Sequence, residues 1–181
     1  MERKTIPCLP FQMLGIQACF AISNAFGSDI YCLRSIKESL EDSRQVLSTW
    51  DFSNHTEGSI CRFVGIECWN DQENMVFGIS LGDTGLRVPF PIGIRNCTNI
   101  QLLDLSGNYL SGSIPSNLAG DLPYLVFLSL SNNSLSGPIP PSIANLSFIN
   151  VLRLDNNHLK GQIPPQLSRA YSEQVSYTCV G

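Results

Sequence analysis

The sequence predicts an α/β solenoid, in which short parallel strands line a concave face behind a helical N-terminal cap. The first observation behind this prediction is the composition of the chain. Only 14% of the 181 residues are charged, against about 25% in a typical soluble domain. Ser, Asn, Gly and Pro take the place of charge. The second observation is that apolar and polar positions recur in phase, at spacings of 24, 25 and 24 residues. Such self-similarity is typical of stacked repeat units.

Four registers of the pattern Leu-x-x-Leu-x-Leu-x-x-Asn-x-Leu begin at residues 76, 100, 125 and 149. This pattern is the signature of leucine-rich repeats. The alternation Leu103-Asp104-Leu105 predicts a short strand with one buried face. Stacked strands of this kind form a parallel sheet on the concave side of a solenoid. The Gly and Ile-Pro positions that follow predict an irregular or 3-10 convex side, so we expect an α/β leucine-rich repeat solenoid over residues 76–169.

One asparagine recurs at the bend after each full repeat's strand, at Asn108, Asn133 and Asn157. A buried amide there is expected to satisfy backbone groups of neighbouring turns, forming an asparagine ladder. The first repeat has Thr84 in this place, and terminal repeats are usually atypical. We interpret the ladder as scaffold rather than as a binding site.

Residues 28–75 are predicted to form the N-terminal cap. Leu33, Ile36 and Leu40 recur at helical spacing, with charged residues off that stripe, which predicts an amphipathic helix. The remainder of the cap carries Leu47 and Trp50, followed by a loop that contains two cysteines.

The cysteines indicate one disulfide and leave others open. Cys61 and Cys68 lie close enough in sequence to close a small disulfide loop. A metal site is the alternative, and the lack of a second Cys or His pair disfavours it. Cys32 is expected to pair within the cap or with Cys97, although Cys97 occupies a leucine position and is most simply a small buried hydrophobe. Cys179 stands alone in a tail, residues 170–181, that departs from the repeat.

Residues 1–27 are predicted to be a secretory signal peptide. A basic-leaning start precedes a charge-free stretch from Ile6 to Phe26, and small residues precede a cleavage point after Gly27. A membrane anchor is the alternative, but Pro, Gln, Ser and Asn interrupt the stretch. Secretion agrees with four N-glycosylation sequons, which begin at Asn54, Asn96, Asn132 and Asn145. We therefore expect a secreted or cell-surface glycoprotein.

Several function classes are disfavoured by the sequence. A net charge of −4 without a Lys/Arg cluster argues against nucleic-acid binding. His55 and His158 fall in predicted loops, where solvated side chains are expected rather than acid–base groups. No zinc-protease, serine-hydrolase or paired Cys/His motif occurs. We expect no enzyme activity, no cofactor and no metal.

The solvent-facing strand positions form an extended surface suited to a protein or peptide. Three of them, Leu102, Phe127 and Val151, are in phase and predict an apolar stripe. The alternative is that this surface merely keeps the sheet soluble. A glycan on Asn132 would mask part of it. The candidate partner-binding residues are Leu102, Asp104, Ser106, Phe127, Ser129, Val151, Arg153 and Asp155.

The Leu-Ser-Gly-x-Ile-Pro segments at 110–115 and 135–140 resemble plant-specific extracellular leucine-rich repeats. The cap resembles that of plant receptor-like kinases. It is most similar to the inactive receptor-like kinases that bind somatic-embryogenesis-type co-receptor kinases, and the resemblance covers roughly residues 29–169. The closer match lies in Cys32-Leu33, Ile60-Cys61-Arg62-Phe63, Gly65, Cys68-Trp69-Asn70, Glu73-Asn74 and Leu122-Pro123-Tyr124-Leu125.

This resemblance implies an extracellular module that docks on a co-receptor kinase ectodomain and regulates signalling. Members of the subgroup continue with another repeat, a transmembrane helix and a kinase-like domain, whereas this sequence departs from the pattern after Arg169. We therefore expect a product truncated before those regions. The alternatives are a secreted inhibitor of a cell-wall-degrading enzyme, which would carry a longer repeat array, and a non-functional truncated product.

Overall fold

The N-terminal cap is built on a helix, α1 (29–39), that packs its apolar stripe inward. The computed structural model describes residues 29–165 and Leu167, apart from His55. The predicted signal peptide, His55 and the tail with Cys179 therefore lie outside the described residues. Leu33 and Ile36 are fully buried, and Leu40 follows the helix half-buried. Among the described residues, no helix combines the length and apolarity that crossing a bilayer requires.

The rest of the cap packs around Trp50, which is fully buried. Two 3-10 turns, Val46–Thr49 and Ile60–Arg62, flank it in sequence. Its indole Nε1 donates a hydrogen bond to the carbonyl oxygen of Val64 at 2.9 Å, and its ring stacks on Phe63 with centroids 5.9 Å apart. A buried indole with its N–H satisfied fixes the cap's loops against α1.

Five strands form the concave sheet. They occur in the spatial order β1 (Ile66–Cys68), β2 (Val76–Ser80), β4 (Leu102–Asp104), β6 (Phe127–Ser129) and β8 (Val151–Arg153). Strand β1 comes from the cap and pairs antiparallel with β2, whereas all later pairs are parallel. The cap strand therefore covers one edge of the repeat sheet, which would otherwise leave backbone groups unpaired.

A second parallel sheet follows the turn after each concave strand. Its strands are β3 (Arg87–Pro89), β5 (Tyr109–Gly112), β7 (Ser134–Gly137) and β9 (His158–Leu159). Gly112 and Gly137 close two of these strands with φ of 77° and 81°, a backbone region that favours glycine. The pattern did not predict this sheet, because its longer strands bury only one residue each, Leu110 or Leu135, and the glycines that close them are typical of turns.

Short helical turns complete the convex side. These are the 3-10 turns Ile92–Asn96 and Pro141–Asn145 and one short helix, α2 (Leu118–Asp121). The α/β leucine-rich repeat solenoid expected from the sequence is confirmed, with parallel strands on the concave side and mainly 3-10 turns on the convex side.

The asparagine ladder bridges successive turns of the solenoid. The amide Nδ2 of Asn133 donates to the carbonyl oxygens of Leu105 at 2.9 Å and Leu130 at 3.2 Å, while its Oδ1 accepts from the Leu110 N–H at 2.9 Å. Asn108 and Asn157 repeat the arrangement one turn before and one turn after. In the described part of the chain, every buried side-chain nitrogen and oxygen has a partner.

Two disulfides tie the cap together and to the repeats. Cys61 and Cys68 are bonded, with Cα atoms 5.7 Å apart. Cys32 of α1 is bonded to Cys97, which follows the convex turn Ile92–Asn96, with Cα atoms 4.9 Å apart. Of the two partners left open for Cys32, Cys97 is therefore the one observed, and Cys97 is buried as a disulfide half rather than simply as a small hydrophobe. The sequence could not reveal the pairing, because α1 meets this turn only once the solenoid has formed.

Candidate protein-binding face

The parallel register aligns the solvent-facing residues of the concave sheet into rows. We call Gly78, Leu102, Phe127 and Val151 the apolar row, because they are Cα partners on successive strands. The next row towards the strand ends, which we call the polar row, contains Ser80, Asp104, Ser129 and Arg153. The residues before the apolar row, Phe77, Gln101, Val126 and Asn150, form the edge row.

The apolar row supplies a continuous partly exposed strip. Leu102, Phe127 and Val151 are all half-buried, so each keeps apolar surface available to a partner. Gly78 begins the strip at the cap. A Cβ on Gly78 would lie 3.1 Å from the Cβ of Glu67 and 3.4 Å from that of Leu102, so glycine leaves room for both. A contiguous apolar strip bordered by polar residues is typical of a protein interaction site.

The polar row is uneven in what it offers. Asp104 is held in place, since its Oδ1 accepts hydrogen bonds from the Ser106 N–H at 2.9 Å and the Ser106 hydroxyl at 2.6 Å. Arg153 is exposed, and no hydrogen bond or ion pair engages its guanidinium within the described residues. Asp155 is half-buried beyond it. The polar row therefore presents the hydrogen-bonded carboxylate of Asp104 on β4 and the exposed guanidinium of Arg153 two strands away on β8.

The structure corrects the expectation for Ser129. It is only 2% exposed, and its hydroxyl lies 3.3 Å from that of Ser131, with which it shares a hydrogen bond. A short side chain in the middle strand, with Asp104 and Arg153 on the strands beside it, is covered by its surroundings. Ser129 therefore has little surface to offer a partner.

The face has one edge that the repeat pattern did not predict. The Trp69 ring, 60% exposed, lies 4.9 Å from the Phe77 ring. Further along, the exposed rings of Tyr124 and Phe148 lie 6.1 Å apart. We call these four residues the aromatic edge. The repeat pattern does not single them out as a surface, because Trp69, Tyr124 and Phe148 fall outside the alternating strand positions.

At the opposite edge the strands run into polar turns. Asn132 is exposed there with φ of 54°, a conformation that asparagine tolerates better than most residues. Its Oδ1 accepts a hydrogen bond from Asn156 Nδ2 at 2.8 Å. His158 is exposed on β9 of the second sheet, away from the concave strands.

The cap holds a separate open groove of about 710 Å³ between α1 and the loop after Trp50. Lys37 Nζ donates to the Trp50 carbonyl oxygen at 2.7 Å, and Arg34 lies over the Phe52 ring at 5.3 Å. A hydrogen bond from the Ser53 N–H lowers the pKa of the exposed Asp51 carboxyl below its usual value. These side chains brace the cap, and no group of three metal-ligating side chains forms here or elsewhere in the described residues.

The family comparisons cover the cap and three repeats. Residues 27–69 match the family described as "Leucine rich repeat N-terminal domain". Residues 99–120, 124–146 and 148–170 match "Leucine Rich Repeat". The sequence is 49% identical over 132 residues to "Inactive LRR receptor-like serine/threonine-protein kinase BIR2" of Arabidopsis thaliana, covering 73% of this chain and 22% of that protein. The chain thus spans about a fifth of the length of the curated relatives it matches.

Two solved structures match over most of their length. The crystal structure of the BIR2 ectodomain from Arabidopsis thaliana superposes with a TM-score of 0.77 and 51% identity, covering 78% of this chain and 74% of that one. A chain in the crystal structure of the BIR3–SERK2 complex, also from Arabidopsis thaliana, gives a TM-score of 0.75 and 43% identity, with 84% of each chain covered. An ectodomain is the extracellular part of a receptor, so the region of BIR2 that this chain matches is extracellular. This chain belongs to the family of leucine-rich repeat ectodomains of receptor-like kinases that includes the inactive kinase BIR2.

Proposed function

We propose that this chain is an extracellular, non-enzymatic protein-binding module that docks on a co-receptor kinase ectodomain through its concave face and thereby regulates signalling. The observation that carries the proposal is the apolar row, which aligns Leu102, Phe127 and Val151 on three successive strands. Partly exposed apolar side chains in a continuous strip supply the desolvated centre that a stable protein interface needs.

The similar proteins favour a co-receptor kinase ectodomain as the partner. One of the similar structures is a BIR3–SERK2 complex, and the relative BIR2 is named an inactive kinase. A module without catalytic groups regulates by occupancy: while it holds a co-receptor ectodomain, that surface is closed to other receptors. Two disulfides among the described residues agree with an oxidising extracellular compartment.

The same proposal includes the organisation expected from the sequence. Residues 1–27 act as a signal peptide, 28–75 as the cap, 76–169 as four repeats and 170–181 as a divergent tail. Leu102, Phe127 and Val151 make the central contacts, while Asp104, Ser106, Arg153 and Asp155 make the polar ones.

Charging Phe127 is expected to abolish docking. Phe127→Glu places a carboxylate in the middle of the apolar row, where the partner would have to desolvate it. Truncation of central interface residues alone costs about 2 kcal/mol or more, a factor of about 30 in Kd, so the charged variant should lose at least that much. Biolayer interferometry against a panel of co-receptor ectodomains measures the change.

Ser136→Glu is the matched control, because Ser136 is exposed on β7 of the second sheet in the same repeat. It should leave Kd within about twofold, and both variants should keep the parent melting temperature within a few degrees. Equal binding by the two variants would place the interface elsewhere. An inhibitor of a wall-degrading enzyme would bind none of the co-receptor ectodomains.

A further inference from the structure

We infer that the partner rests across the aromatic edge, where the concave strands begin, and that an N-linked glycan on Asn132 closes off the far edge, where those strands end. The inference rests on the proposed function, because it names the part of the concave face that the co-receptor ectodomain covers. Two independent features carry it, one at each edge of the sheet.

The aromatic edge gathers exposed rings on one side of the solenoid. The exposed Trp69 and the half-buried Phe77 lie at the cap with their ring planes tilted by 44° and their centroids 4.9 Å apart. Tyr124 and Phe148, 50% and 58% exposed, are the last residues of the second and third repeats, and their ring centroids lie 6.1 Å apart. Large exposed aromatic side chains lose little conformational entropy on binding and are enriched at interfaces.

Tyr124 adjoins the apolar row through Val126, whereas the exposed Asn150 lies between Phe148 and the apolar row. Tyr124 lies two residues before Val126, and Phe148 lies two residues before Asn150, which is roughly 7 Å along an extended chain. Val126 is itself 36% exposed and directly precedes Phe127. The surface therefore continues from the outer side of the solenoid, over the edge row, onto the apolar row. A folded domain can cover both sides of such an edge, whereas an extended peptide would lie along the rows alone.

The far edge is built to carry a glycan. Asn132 begins an Asn-x-Ser sequon with Ser134, and it is exposed on the central repeat. Its Oδ1 is held by Asn156 Nδ2, and no hydrogen bond within the described residues uses its Nδ2, the atom that a glycan modifies. Asn96 differs, since it is half-buried and its Nδ2 donates to the Ser35 hydroxyl at 3.2 Å.

A glycan on Asn132 confines the partner to the other side. Asn132 lies five residues after Phe127 on the same strand and turn, which is at most about 18 Å. A branched sugar anchored there occupies the solvent above the polar turns, so a folded domain cannot lie across them. The partner that is compatible with both edges is another folded ectodomain seated on the aromatic edge.

The test of the aromatic edge uses the full chain secreted from a eukaryotic host, with a co-receptor ectodomain as the probe. The double variant Tyr124→Ser/Phe148→Ser should weaken Kd by at least about 20-fold. Tyr109→Ser is the matched control, because Tyr109 is 49% exposed but lies on the second sheet beside Arg87. It should change Kd less than about twofold.

The test of the far edge uses two kinds of variant. One kind destroys the sequon at Asn132, and the other introduces a new sequon in the polar row. Asn132→Gln and Ser134→Ala each destroy the sequon and should leave Kd within about twofold. Asp104→Asn completes an Asn-x-Ser sequon with Ser106 in the polar row, and its glycan should weaken Kd by at least about 50-fold. Peptide-N-glycosidase removes this glycan and restores the aspartate at position 104, so this treatment should recover most of that loss.

The outcomes separate this inference from the proposed function. An unmodified chain that binds no co-receptor ectodomain, or that associates only with itself, removes the proposed function and the inference with it. Binding that is sensitive to Phe127→Glu but indifferent to Tyr124→Ser/Phe148→Ser overturns the inference alone. So does a glycopeptide map that shows Asn132 unglycosylated, or that shows a glycan on the exposed Asn145, three residues before Phe148. A change of more than about tenfold in Kd on Asn132→Gln has the same consequence.

Discussion

Asn133→Ala is expected to lower the free energy of unfolding by about 4 kcal/mol. The side chain of Asn133 bonds the carbonyl oxygens of Leu105 and Leu130 and the N–H of Leu110, so it joins two turns of the solenoid. Removing it leaves the buried Leu110 N–H without a partner, at about 1–3 kcal/mol. The carbonyl oxygens of Leu105 and Leu130 each keep a single bond, from Asn108 and Asn157, and lose the other at about 1 kcal/mol apiece. Urea denaturation followed by circular dichroism measures the loss.

Asn150→Ala is the matched control. Asn150 is exposed in the edge row, and surface replacements away from special features stay within about 0.5 kcal/mol. If Asn133→Ala destabilised the protein no more than this control, the asparagine ladder would not be what holds successive turns together.

Removing the Cys32–Cys97 disulfide is expected to lower the free energy of unfolding about as much as Asn133→Ala does. The bond joins residues 65 apart in sequence, for which the chain-entropy relation gives about 4 kcal/mol. It also fastens α1 to the first repeat, so the cap that covers the end of the hydrophobic core would dock less firmly. The double variant Cys32→Ser/Cys97→Ser should show the loss in calorimetric or urea unfolding.

The second disulfide supplies an internal comparison. Cys61 and Cys68 are 7 residues apart, and the same relation gives about 2 kcal/mol for Cys61→Ser/Cys68→Ser. A larger loss from this short loop than from the long one would contradict the entropic explanation and point to packing around Cys61 instead.

The repeat period alone determined much of this architecture. Because residues in phase on stacked turns become neighbours, the spacing of Leu102, Phe127 and Val151 predicted that they would align, and the register pairs them. Leu103, Leu128 and Leu152 are buried beneath them, as the alternation requires. Local pattern is sufficient here because each repeat contacts mainly its neighbours.

Features that depend on contacts between unlike segments could not be predicted in this way. The Cys32–Cys97 bond joins the cap to a repeat, and nothing in either segment specifies the other. The pairing of Tyr124 with Phe148 arises from loop positions that vary between repeats. Ser129 occupies a solvent-facing position in the pattern, yet its neighbours on adjacent strands cover it.

We propose that the concave face, and not another surface, receives the co-receptor ectodomain. Hydroxyl-radical footprinting of the free chain and of the complex measures the accessibility of individual aromatic side chains. Docking on the concave face predicts strong protection of Phe127 and Tyr124 in the complex, with Tyr109 on the second sheet unchanged. Protection of Tyr109 while Phe127 keeps its free-state reactivity would contradict it.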